Sequence, residues 1–173
     1  SALVTFIAAV HYFYMRDVWV ATGETPTVYR DIDWLLTVPR LMIEFYLILR
    51  AIGVATPGIF WRLLIGTLVM LVPGYLGEAG YINTTVGFVV GMIGWFYILY
   101  EVFMGAAGKA AEREATPSVM YAYKLMRWVV TVGWAIYPLG YMAGTPGWYE
   151  GIFGGLAMDV VYNIGDAINK IGF

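Results

Sequence analysis

The last segment of the chain carries an acid and an amine on one face of an otherwise apolar stretch. It reads DVVYNIGDAINKIGF (159–173), with Asp166 and Lys170 four residues apart. On a helix these two side chains are neighbours. A desolvated lysine is suited to attack an aldehyde and form a Schiff base, which needs a buried counterion when protonated. The spacing therefore indicates Schiff-base chemistry with Asp166 or Asp33 as counterion, or a plain ion pair within one helix.

A second set of polar residues lies along YRDIDWLLTVPRLMIEFYLIL (29–49). Asp33, Thr37 and Glu44 stand at positions i, i+4 and i+11, which fall on one stripe of a helix. The helical rise separates Asp33 from Glu44 by about 16 Å, roughly half the hydrocarbon thickness of a membrane. Two acids so placed suit the relay of a proton. The alternative is two carboxylates that neighbouring helices satisfy separately.

The composition indicates the environment in which these groups work. The 173 residues are 61% hydrophobic and only 13% charged, whereas a soluble domain carries about 25% charged residues. Most of the outer surface must therefore face a lipid bilayer. The net charge of −2 argues against a nucleic-acid partner, and the absence of cysteine excludes disulfides and thiol chemistry.

Six segments are long and apolar enough to be membrane-spanning helices. They cover about 1–20, 28–50, 60–80, 84–105, 118–143 and 152–173. Breaker-rich links join them at 21–27, 53–58, 105–118 and 144–151, with a close connection at Gly80 to Asn83. We expect one transmembrane helical domain over 1–173.

Basic residues next to the links predict the orientation of these spans. Six flank the second and fourth links, and only Arg16 lies near the others; the six are Arg50, Arg62, Lys109, Arg113, Lys124 and Arg127. The positive-inside rule places the second and fourth links in the cytoplasm. The end of the second span that carries Glu44 therefore faces the cytoplasm.

Several stretches together resemble the microbial rhodopsins, close to the proteorhodopsin and xanthorhodopsin branch. They are HYFYMRDVW (11–19), ETPTVYRDIDWLLTVP (24–39), IEFYLIL (43–49), LVMLVPGYLGEAG (68–80), GWAIYPLGY (133–141) and VYNIGDAINK (161–170). The resemblance covers nearly the whole chain. It implies an all-α membrane protein with the seven-helix rhodopsin bundle, of which this chain has about six helices, lacking the first and with the last cut short.

The resemblance also implies roles for individual residues. Lys170 matches the lysine that binds all-trans retinal as a protonated Schiff base. Asp33 matches the primary counterion and proton acceptor, Asp166 the second counterion, and Glu44 the proton donor. His11 and Arg30 match the partners of the acceptor. Positions matching the retinal pocket are Trp34, Thr37, Leu41, Met70, Trp95, Trp134, Tyr137 and Pro138. Leu41 also matches the colour-tuning site, where leucine goes with green absorption.

Together these matches imply a light-driven outward proton pump of the bacterial inner membrane, not an enzyme and without a metal site. By resemblance we expect a homo-oligomer, pentamer or hexamer. No carotenoid antenna is expected, because Phe88 stands where antenna-binding members have glycine. The alternatives are a sensory rhodopsin of the same fold, or a non-retinal helical transporter with a buried Asp/Lys pair. The donor carboxylate at Glu44 favours the pump over the sensor.

A few charged residues depart from the pattern or lack a defined role. Asp31 stands where an aromatic residue is usual, and Arg40 stands where leucine is usual, close to the stripe of Asp33. A cation at Arg40 would hold Glu44 ionised or oppose proton passage, or, if it faces lipid, would cost stability. Asp159 fits a solvated helix end better than a proton exit path. Glu78 is expected at a subunit contact or in a polar loop.

Overall fold

The computed structural model describes residues 2–145, 147–148 and 158–173, and over these ranges the chain is helical without strands. The helices, in chain order, are α1 (Ala2–Thr22), α2 (Thr27–Ala51), α3 (Pro57–Glu78), α4 (Thr84–Phe103), α5 (Ala106–Glu114), α6 (Pro117–Trp128), α7 (Ile136–Gly144) and α8 (Met158–Gly172). A π-helical turn, Val129–Gly133, stands between α6 and α7.

The predicted spans agree with these helices to within a few residues. The span predicted at 118–143 is the continuous run of α6, the π-helical turn and α7. The beginning of the span predicted at 152–173 and most of the link at 144–151 lie outside the described residues. Two helical stretches, Pro57–Glu78 and Thr84–Glu114, are long and apolar enough to cross a membrane by length and composition.

The link expected at 105–118 is wrong in its main part, because α5 occupies Ala106–Glu114. Its sequence AAGKAAERE is rich in alanine, glutamate, lysine and arginine, which are strong helix formers. The buried carboxylate of Glu101 accepts a hydrogen bond from the backbone N–H of Ala107 at 3.2 Å. This bond satisfies one of the unpaired donors at the start of the helix.

Helices α3 and α4 form the closest helix pair of the bundle. A short turn joins them, in which Gly80 adopts a φ of 79° and the side chain of Asn83 accepts a hydrogen bond from Val86 N. Gly94 faces the backbone of Met70, so that a Cβ at this position would collide with main-chain atoms of α3. Small residues allow such close backbone contact between membrane helices.

Helix α2 is the central element, packed against both α1 and α3. It buries polar residues together with core residues such as Leu41 and Phe45. On the opposite side of the bundle α7 packs on α8. The π-helical turn is tied to both neighbours: Asn169 Nδ2 donates to Gly133 O at 2.9 Å, and Trp95 Nε1 donates to Val130 O at 2.9 Å. Residues of α2, α3, α4, α7 and α8 line one interior space.

Candidate functional site

The amine of Lys170 lies between two carboxylates in the interior of the bundle. Its Nζ donates to Asp166 Oδ2 at 2.7 Å and also to Asp33 Oδ2. The exposed fractions are 3% for Lys170, 1% for Asp166 and 0% for Asp33. Both acids considered as counterions from the sequence are therefore in contact with the amine, one from α8 and one from α2.

Asp166 is held by aromatic donors from three helices. Tyr12 of α1 donates its hydroxyl at 2.6 Å, Tyr137 of α7 donates at 2.7 Å, and Trp34 Nε1 of α2 lies 3.1 Å from both oxygens. Tyr12 was missed by the sequence analysis, which singled out only its neighbour His11. No spacing within α1 identifies this tyrosine, because its partner is 154 positions away.

The expected partners of Asp33 are placed differently from one another. His11 Nδ1 lies 3.5 Å from Asp33 Oδ1 and 2.9 Å from the backbone oxygen of Ile7. Arg30 instead forms ion pairs with Glu78 at 2.7 Å and with Asp159 at 2.9 Å. His11 therefore faces Asp33 directly, whereas Arg30 belongs to a separate charged cluster.

The charged cluster around Arg30 contains two carboxylates whose positions the sequence did not predict. Glu78 is mostly buried and paired with Arg30, so the expected subunit contact or polar loop is wrong. Asp159 is partly buried, pairing with the same guanidinium and accepting a hydrogen bond from Thr25 at 3.0 Å. The guanidinium also lies 4.4 Å from the centre of the Tyr162 ring, a cation–π distance. Arg30 thus contacts both carboxylates and the Tyr162 ring at this end of the bundle.

An apolar cavity lies beside the aromatic donors that hold Asp166. It is open at one side, and its lining is mainly aromatic and other apolar side chains, as is usual for small-molecule sites. Six of the predicted pocket residues line it: Trp34, Met70, Trp95, Trp134, Tyr137 and Pro138. The other two do not line it. Thr37 is buried with its hydroxyl on the Asp33 carbonyl at 2.9 Å, and Leu41 is buried in the core.

The cavity and the amine together fit a flat, apolar molecule attached to Lys170. Trp34 and Tyr137 belong both to the cavity wall and to the hydrogen bonds of Asp166. These two residues therefore connect the cavity with the charged group. Aromatic walls suit a conjugated chain, and the paired carboxylates suit a positive charge at its attached end.

Glu44 and Arg40 lie on α2 toward its C-terminal end. Glu44 is half-buried, and the helix between it and Asp33 buries Thr37 and Leu41. Arg40 Nη1 donates to the backbone carbonyl of Leu36 at 2.5 Å, on the exposed side of the helix. This placement is compatible with the lipid-facing alternative, which stays a prediction.

Known proteins are similar to this chain over its whole length. The family described as "Bacteriorhodopsin-like protein" matches residues 1–173. The chain is 50% identical over 173 residues to the blue-light absorbing proteorhodopsin of Gamma-proteobacterium Hot 75m4, covering all of this chain and 68% of that protein. It is 49% identical over 175 residues to the green-light absorbing proteorhodopsin of Gamma-proteobacterium EBAC31A08, with the same coverage of 100% and 68%.

Solved structures show the same architecture. The crystal structure of blue light-absorbing proteorhodopsin from Med12 matches with a TM-score of 0.77 at 48% identity, covering 97% of this chain and 73% of that one. The structure of xanthorhodopsin, described as a light-driven ion pump with dual chromophore, matches with a TM-score of 0.74 at 29% identity, covering 99% of this chain and 73% of that one.

Proposed function

The chain belongs to the bacteriorhodopsin-like family, and from this premise we propose that it is a light-driven outward proton pump that carries all-trans retinal on Lys170 as a protonated Schiff base. Membership of this family confirms the predicted microbial-rhodopsin fold and makes the chain an integral membrane protein. The observation that carries the functional proposal is the buried Lys170 amine, held by Asp33 and Asp166 beside an aromatic cavity.

Retinal supplies the light-driven isomerisation that moves the attached end relative to its surroundings. The residues of the chain then determine where the proton goes. Asp33 contacts the Lys170 nitrogen and has a second oxygen, Oδ1, for which the described residues provide no hydrogen bond. Asp166 is occupied by three aromatic donors. Asp33 is therefore the proton acceptor, and Asp166 is the fixed counter-charge.

The return of a proton to Lys170 is assigned to Glu44. It lies on the same helix as Asp33 but toward the end that the loop charges place in the cytoplasm. The cluster of Arg30, Glu78 and Asp159 lies at the opposite end of this helix. This polarity supports net transport from the cytoplasmic side to the outside.

Finer features of the proposal rest on single residues or on family resemblance. Leu41, at the position that matches the colour-tuning site, supports absorption of green light. Phe88 lines the cavity and packs on Tyr141, with ring centres 5.3 Å apart, which supports a pump without a carotenoid antenna. A pentamer or hexamer in the inner membrane of a bacterial cell is the assembly proposed from the resemblance.

The absorption spectrum after expression with all-trans retinal tests this proposal. We expect a visible band that depends on retinal and disappears completely in Lys170→Ala, because the attachment site is lost. Lys124→Ala removes an exposed lysine on α6 and should keep the band. A folded protein without any retinal-dependent band would contradict the proposal and favour a non-retinal transporter.

A further inference from the structure

Asp31 is a buried acid that the proposed proton path does not use. It lies on α2 with an exposed fraction of 5% and belongs to the lining of the aromatic cavity. Its Oδ2 is buried without a hydrogen-bond partner, and within the described parts of the chain no ion pair reaches the carboxyl group. The acid near it, Glu78, pairs with Arg30, whose guanidinium is also within electrostatic range of Asp31.

An unpartnered polar group in such a position is unusual. Buried polar side chains almost always have a hydrogen-bond partner, since leaving one unsatisfied costs its full desolvation free energy. The nearby donors are used elsewhere, because Trp34 Nε1 donates to Asp166 and the Tyr141 hydroxyl donates to Thr84 O. The missing partner is therefore expected from a molecule that occupies the cavity.

The position of Asp31 indicates which part of that molecule it meets. It precedes Asp33, which contacts Lys170, by two residues, about 3 Å along the helix axis, and within the described residues no hydrogen bond or ion pair joins it to the Lys170 amine. Tyr75 and Glu78 of α3 and Tyr141 of α7 are close enough to interact with it electrostatically, and all three line the cavity. Asp31 thus lies on a wall of the cavity shared with Tyr75, Glu78 and Tyr141, which a ligand attached at Lys170 would meet with a part other than its attached end.

We propose that Asp31 selects a retinoid with a hydroxyl group on its ring, so that the preferred chromophore is a ring-hydroxylated retinal rather than retinal itself. This inference rests on the proposed attachment of a retinoid to Lys170. A hydroxyl group fits Asp31 in either ionisation state. It donates to a carboxylate, and it both donates to and accepts from a carboxylic acid.

A competition between two retinoids tests the inference. The protein, expressed without retinoid, is offered equal amounts of all-trans retinal and all-trans 3-hydroxyretinal. The bound retinoid is then fixed by borohydride reduction, and the mass of the product shows which one was taken. One hydrogen bond to an acidic group predicts a preference of about tenfold for the hydroxylated form.

Variants of Asp31 identify the source of the preference. Asp31→Leu removes the hydrogen-bonding group and should reduce the ratio to about one. Asp31→Asn retains a hydrogen-bonding side chain and should keep part of the preference. Asp17→Leu removes an exposed carboxylate on α1 and should leave the ratio of the unmodified chain unchanged.

Equal uptake of the two retinoids by the unmodified chain would overturn the inference, and so would a preference that persists in Asp31→Leu. Both results would leave the proposed pump intact, because a retinoid would still be bound. If neither retinoid is found on Lys170, the proposed function itself fails and the inference fails with it. The mass measurement separates these cases directly.

Discussion

Asp33 and Asp166 contact the same amine but differ in their other partners. Asp166 accepts hydrogen bonds from Tyr12, Trp34 and Tyr137. Within the described part of the chain, Asp33 Oδ1 has no hydrogen bond, and His11 Nδ1 lies 3.5 Å from it. Hydrogen bonds to a carboxylate stabilise its charged form. In the proposed pump, this asymmetry favours Asp166 remaining charged and Asp33 receiving a proton.

Replacing the proton donor gives a kinetic prediction. In Glu44→Gln the side chain keeps its size but cannot release a proton, so the return of the proton to Lys170 should slow by about 100-fold. Flash spectroscopy of the retinal band measures this recovery. Glu24→Gln, in the exposed segment before α2, should leave the rate unchanged. Recovery at an unchanged rate in Glu44→Gln would exclude Glu44 as the donor.

Arg40 gives a prediction about stability. Among the residues that the structure describes, its guanidinium bonds to a backbone carbonyl on the exposed side of α2. Charged side chains inside a membrane cost roughly 2.5–3.5 kcal/mol at the centre. Arg40→Leu should therefore raise the free energy of unfolding by about 1–3 kcal/mol, measured by denaturation in detergent–lipid mixtures.

Arg50→Leu is the matched control for this prediction. Arg50 lies in the last turn of the same helix, where a long basic side chain can reach the interface and favour the helix C-terminus. Its replacement should give little or no gain. Loss of stability in Arg40→Leu would show that the guanidinium has a stabilising partner in the membrane.

The chemistry of individual residues was largely predictable, but their contacts across helices were not. Asp166 and Lys170 share one helix, so periodicity alone places them together. The hydrogen bond from Tyr12 to Asp166 and the pairing of Arg30 with Glu78 join distant parts of the chain. Such pairs depend on how helices rotate and pack, which no local spacing specifies.

At the level of helices, the contact between α3 and α4 depends on glycine. Gly94→Ala places a Cβ against the backbone of Met70, which cannot move as a flexible side chain would. We expect a loss of about 1–3 kcal/mol in the free energy of unfolding, measured by denaturation in the same detergent–lipid mixtures. The same change at Gly58 of α3, where a Cβ meets only Thr56 Oγ1 at 3.7 Å, should have little effect. Equal effects at both sites would contradict the role of close packing.

Helix positions followed from hydropathy, while two local features of the helices did not. The spans were predictable because about 20 consecutive apolar residues have few alternatives in a membrane. Helix α5 was assigned to a link because its charged residues lack the apolar pattern of a span. The π-helical turn before Pro138 was also unpredicted, since it depends on contacts such as that between Asn169 and Gly133.

The distribution of charges along the bundle predicts its orientation across the membrane. Basic residues of the second and fourth links, including Arg62 and Lys109, mark one end of the bundle. The cluster of Arg30, Glu78 and Asp159 lies at the other end of α2. Because Glu44 lies toward the first end and Asp33 toward the second, a proton that passes from Glu44 through Lys170 to Asp33 moves outward.

The most direct measurement of this account is the pH of an unbuffered suspension of bacterial cells that express the chain with retinal, followed under illumination. The account predicts acidification of the medium that disappears when a protonophore is added. It also predicts none in Asp33→Asn, which loses the acceptor while keeping the attachment site. An intact, coloured protein that leaves the pH unchanged, or makes the medium alkaline, would contradict outward proton pumping.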